Sequence, residues 1–127
     1  MISDYFREVE RVLHSCLLTT SVNIQIELID INSGYFKAQL IFIDNSELHL
    51  FEFATTENDK PAVEKYRYHY QNSEGKLIMR WDNAKHHPEI KTFPSHLHVG
   101  NKVEESRKPE IEDVLLEVIN KIEKWYR

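Results

Sequence analysis

The stretch VEKYRYHYQNSEGKLIMRWD, residues 63–82, decides the fold. In an extended chain, Tyr66, Tyr68 and Tyr70 fall on one side and Arg67, His69 and Gln71 on the other. After a turn at Asn72-Ser73-Glu74-Gly75, Leu77, Met79 and Trp81 oppose Ile78, Arg80 and Asp82. Two runs of period two joined by a short polar turn make an antiparallel hairpin, because parallel neighbours need long crossovers.

Upstream of the hairpin, VNIQIELI (22–29), YFKAQLIFI (35–43) and ELHLFEFATT (47–56) read as strands. Asn32-Ser33-Gly34 and Asp44-Asn45-Ser46 supply the tight connections. Residues 4–17 form a helix in this reading, with Tyr5, Phe6, Val9, Val12, Leu13 and Leu17 at helical spacing and Ser3 as N-cap. A second helix begins near Pro109, and Ile111, Val114, Leu115, Val118, Ile119, Ile122 and Trp125 form its apolar stripe. The expected fold class is α+β: an antiparallel five-stranded meander sheet flanked by an N-terminal and a C-terminal helix, in a single domain over residues 1–127. Both helices should pack on one face of the sheet. The other face is then open to solvent, substrate or a second subunit, so a homodimer is one expectation.

The composition narrows the function classes. The chain has 127 residues, 41% hydrophobic and 29% charged, which excludes a disordered or fibrous protein. Its one cysteine, Cys16, cannot form an internal disulfide, and this suits a reducing compartment. The opening MISDYFREVERVLH lacks the apolar run of a signal peptide, and no stretch approaches the ~18–20 apolar residues of a membrane-spanning helix. The expectation is a soluble, cytoplasmic protein with no membrane contact.

The net charge of −5 argues against simple electrostatic clamping of nucleic acid. The distribution qualifies that total: residues 60–108 carry 10 Lys and Arg against 6 Asp and Glu, a net of +4. An anion could be drawn to that half.

The next stretch, RWDNAKHHPEIKTFPSHLHVG (80–100), holds four of the seven histidines. His96 and His98 have H-x-H spacing, so on an extended segment both rings point the same way. Pro88 and Pro94 stiffen the segment before them. Imidazole and carboxylate suit several divalent ions, but no HExxH or CxxC motif is present. Histidines can also act as general acid and base near neutral pH, with arginine holding a phosphate. Tyr68, Tyr70 and Trp81 are candidates to stack on bases, although the same alternation fits a buried core face.

The segments YFREVERVL (5–13), YRYHYQN (66–72), RWDNAKHHPEIKTFPSHLH (80–98) and the helix after Pro109 together resemble the TumE-type toxins of toxin–antitoxin pairs. Arg80, Asp82, Asn83, His86, His87, His96 and His98 match polar positions of that family pattern. Three residues depart from it: Lys85 stands where proline is frequent, Ser95 where a further histidine is, and Leu97 where a basic residue is. The resemblance implies an antitoxin partner, of the helix-turn-helix DNA-binding kind.

Residues and resemblance together suggest a toxin that is an endoribonuclease, independent of metal and of any other cofactor. Its candidate catalytic residues are Arg80, Asp82, His86, His87, His96 and His98. Arg67, Tyr68, His69 and Asn83 are candidates for contact with an RNA substrate. The alternative is a non-enzymatic or metal-binding interaction module that works through a histidine-rich loop.

Overall fold

The structure, a computed structural model, describes residues 1–125. Helix α1 (Ile2–His14) leads into strands β1 (Thr19–Asp30), β2 (Ser33–Phe42), β3 (Glu47–Glu57), β4 (Lys60–Gln71) and β5 (Leu77–Asp82). Two short strands follow, β6 (His96–Val99) and β7 (Lys102–Glu105), and then helix α2 (Ile111–Trp125). All strands form one antiparallel sheet in chain order, β1 to β7.

The sheet therefore has seven strands, not the expected five. The added hairpin is HLHVGNKVEE, residues 96–105, where Val99 faces Lys102 across Gly100-Asn101. Gly100 takes φ +58°, a conformation that suits glycine at a two-residue hairpin loop. Histidine and glutamate at period two give a weak apolar signal, and partners on β5 override it. Asn58 and Asp59 likewise take positive φ and close β3 onto β4, which extends both strands beyond the expected ends.

One apolar core lies between the two helices and one face of the sheet. Phe6, Val9, Leu13, Val114, Leu115, Val118 and Ile122 meet Phe36, Leu40, Phe42, Leu48, Tyr68, Tyr70 and Trp81. Each large side chain buried there contributes about 1.5–3 kcal/mol. Gly34 lets α1 approach: a Cβ at this position would sit 2.6 Å from the Glu27 carbonyl and 3.0 Å from the Phe6 ring. Helix α1 starts and stops earlier than its periodicity suggests, with Met1 rather than Ser3 as N-cap. Leu17 is consequently exposed, and Cys16 lies beyond the helix, where burial pushes its thiol up to about 11. Ile119 is half-buried, and the side chain of Trp125 lies outside the described residues.

The tyrosine face of the hairpin belongs to this core. Tyr68, Tyr70 and Trp81 are 0%, 2% and 5% exposed, so they are not available to stack on a base. Tyr68 donates its hydroxyl hydrogen to Glu52, a fully buried carboxylate that also accepts from Tyr5.

Burial raises the Glu52 carboxyl above the usual range, against the pull of the two tyrosine hydroxyls and Lys108. In the unfolded chain a glutamate titrates at about 4.3. Between that value and the higher folded one, the folded state holds a proton the unfolded chain has lost. Stability therefore falls as pH rises through this window, and the penalty persists above it. Glu52→Gln should gain stability relative to wild type as pH rises from 4 to 8 in thermal melts. A difference that does not change with pH would contradict this account.

Candidate functional site

The opposite face of the sheet mixes polar and aromatic side chains, and residues of the segment 83–87 line a cleft on it. Cross-strand register determines what meets there. Arg80 on β5 lies opposite His69 on β4 and His98 on β6, and Asp82 lies opposite Arg67 and His96. The alternation of β5 sends Met79 and Trp81 into the core, so Arg80 and Asp82 must point out. The same rule brings His96 and His98 up beside them.

Asp82 and His96 form the innermost contact. They are 7% and 2% exposed. Nε2 of His96 is 3.0 Å from Oδ1 of Asp82, and Nδ1 of His96 donates to the Pro94 carbonyl at 2.9 Å. Oδ1 of Asp82 also accepts from the Ala84 amide at 3.0 Å. One buried pair thus anchors both ends of the segment that carries His86 and His87.

His98 packs against this pair, its Nε2 3.1 Å from Nε2 of His96 and 3.7 Å from Oδ2 of Asp82. His87 completes a cluster, with its ring centroid 5.1 Å from that of His96 and 5.9 Å from that of His98. Oε1 of Glu89 lies 3.2 Å from Nδ1 of His87 and orients that ring. His98 and His87 are partly exposed, whereas His96 is sealed. Burial lowers the pKa of His98, with help from His96, Arg80 and His87, and Asp82 opposes the shift. His98 is thus biased toward its neutral form.

With Nδ1 of His96 directed to Pro94, its Nε2 faces a carboxylate and another imidazole nitrogen. A second hydrogen on Nε2 satisfies that geometry and makes an ion pair with Asp82. A divalent ion would satisfy it too. His87, His96 and His98 each offer a ligand atom within 4.8 Å of the others, and a carbonyl behind the ring of a ligand histidine is the usual outer support.

Arg80 donates through Nε to Nδ1 of His69 at 3.1 Å. Nε2 of His69 then donates to Gln71 at 3.0 Å, which fixes a neutral tautomer. Burial and the cations Arg80 and Arg67 lower the pKa of His69 accordingly. Among the described residues no acid pairs with Arg80, and its guanidinium lines a cleft of about 620 Å³.

Arg67, Asp82, Asn83, His86, His87, His96 and His98, all expected from sequence, line the same cleft. His69 sits behind Arg80 as its support. His86 is an exposed rim residue. Asn83 has a structural task, accepting from the Tyr66 amide and donating to the Glu64 carbonyl. Tyr68 is the correction: it lies on the core side of β4 and does not reach the cleft. The histidine-rich segment is also not all loop, since His96 and His98 belong to β6. Lys37, Phe51 and Lys65 join the lining unannounced. Lys65 follows from alternation with Arg67 on β4, whereas only the register brings Lys37 and Phe51 into line with Arg67 and Asp82.

Removing one partner of a buried ion pair strands the other, typically at about 3–5 kcal/mol. Asp82→Ala should lose that much in denaturant unfolding. A loss below ~1 kcal/mol, the size of an exposed pair, would show that the contact is not a buried charge pair.

The family model for Toxin TumE matches residues 9–126. Comparisons with curated proteins and with solved structures give no match. A match over nearly the whole chain takes in the second half of α1, the whole sheet and every cleft residue, and the chain belongs to the TumE toxin family.

Proposed function

We propose that this toxin cleaves RNA in the histidine cleft without a metal ion. Membership of a toxin family implies a toxin–antitoxin setting and an antitoxin partner. We assign that partner to the helix-turn-helix DNA-binding class. The observation that carries the catalytic reading is the accessible pair His98 and His87 beside Arg80, backed by the buried Asp82–His96 contact.

In this reading neutral His98 takes the proton from a ribose 2′-hydroxyl, whose oxygen attacks the adjacent phosphorus. The bond from phosphorus to the 5′-oxygen breaks, and His87 gives its proton to that oxygen. Arg80 offers its guanidinium fork to the phosphorane oxygens, a role a lysine point charge does not reproduce. Asp82 and His96 hold His98 in place and touch no substrate. His86 and Arg67 flank the reacting phosphate. The products are a 2′,3′-cyclic phosphate and a 5′-hydroxyl.

The second reading is a non-enzymatic module that binds a divalent ion, favoured by the convergence of His87, His96 and His98. Purified protein with excess chelator separates the two. Chelator-resistant cleavage that drops at least ~10²-fold in His98→Ala and Arg80→Ala, with Arg80→Lys no better, supports the acid–base site. Cleavage abolished by chelator moves the chemistry to a metal. Folded, toxic protein that cleaves no RNA and retains a bound ion supports the binding module.

A further inference from the structure

The ordered pattern on the open face continues past the histidines. Register aligns Gln25, Lys37, Phe51, Arg67, Asp82 and His96 in one row across β1 to β6. With strands ~4.8 Å apart, the row from His96 to Lys37 spans roughly 19 Å. A second cleft of about 310 Å³ opens on this face and shares Lys37, Phe51 and Arg67 with the first.

The chemistry of that row is not that of an ordinary wet face. Lys37 and Arg67 are exposed, and among the described residues neither makes an ion pair. Between them stands Phe51, half-buried on the side away from the core. Tyr35 supports it, with ring centroids 6.1 Å apart and planes tilted by 35°. Cations on either side of an aromatic platform match a single nucleic-acid strand, whose phosphates need charge and whose unpaired bases offer a stacking face. A duplex hides its base faces and would leave Phe51 unused.

We propose that this row is the track for a single RNA strand leading away from the reacting phosphate. Arg67 and Lys37 bind phosphates neighbouring the one at Arg80, and Phe51, braced by Tyr35, stacks on a base. The track extends the RNA-cleaving reading and rests on it. It makes the preferred substrate an unpaired segment several nucleotides long.

The test measures binding apart from cleavage. Labelled oligoribonucleotides with 2′-O-methyl groups, two to eight nucleotides long, lack the nucleophile and are read by fluorescence anisotropy at fixed salt. Affinity for the wild type should rise with length to a plateau. Phe51→Ala and Lys37→Glu should each weaken binding of the longest oligomer about tenfold. Lys37 is exposed, so its variant should melt like the wild type and separates binding from folding. Wild-type affinity in both folded variants would overturn the track. So would equal binding of duplex, or equally effective competition by polyglutamate. Because the ligand cannot be cut, binding without any cleavage of ordinary RNA would overturn the catalytic reading alone.

Discussion

The buried contact between Asp82 and His96 is the constraint on which the rest of the site depends. A carboxylate taken out of water loses several kcal/mol of solvation, and only close partners offset that loss. Asp82 has the His96 ring at 3.0 Å and the Ala84 amide at 3.0 Å. His96 has the Pro94 carbonyl on its other nitrogen. These contacts join β5 to β6 and anchor residues 83–95 from both ends. Thr92 adds a further tie, donating to the Ser95 carbonyl and accepting from the Ser106 amide. The segment bearing His86 and His87 is thereby held over the sheet as a wall of the cleft. Relaxing the pair would displace His98 and His87 together.

Charge is unevenly distributed along this acidic chain. The negative charge is concentrated in residues 1–59, with 3 Lys and Arg against 10 Asp and Glu. Glu8, Glu10 and Glu52 lie on α1 or on the core side of β3, away from the open face. Lys37, Lys65, Arg67 and Arg80 line the cleft, where Asp82 is matched by His96. Glu27 and Glu47 lie elsewhere on the open face, so the excess of cations is local to the cleft rather than a property of the whole side. No helix of the described residues is long and apolar enough to cross a membrane.

Much of this was legible in the residues, and the limits have physical causes. Period-two alternation identified five strands and the antiparallel order, because a sheet half covered by helices imposes it. The β6–β7 hairpin was hidden because its strands are four residues each and mix histidine, lysine and glutamate with only Leu97, Val99 and Val103 as apolar positions. Tyr68 was misplaced because alternation identifies two faces without saying which is wet. The answer came from Glu52, whose buried carboxylate holds the Tyr68 hydroxyl in the core. Spacing joined Arg80 to Asp82 and His96 to His98, but the meeting of the two pairs depends on the β5–β6 register. The row that takes Lys37 to Phe51 and Phe51 to Arg67 was not legible either, since it depends on the register of β2 on β3 and of β3 on β4. At the far edge, β1 keeps Ile26 and Leu28 at 37% and 53% exposure, although their alternation matches that of a covered strand.

The most direct test of the central claim is the chemistry of the RNA ends left by purified protein in excess chelator. An acid–base pair acting through the ribose 2′-hydroxyl leaves a 2′,3′-cyclic phosphate on one fragment and a 5′-hydroxyl on the other, and the account predicts those ends. A 3′-hydroxyl with a 5′-phosphate would mean that water, not the ribose, attacks phosphorus. That result would contradict His98 as the base and His87 as the acid.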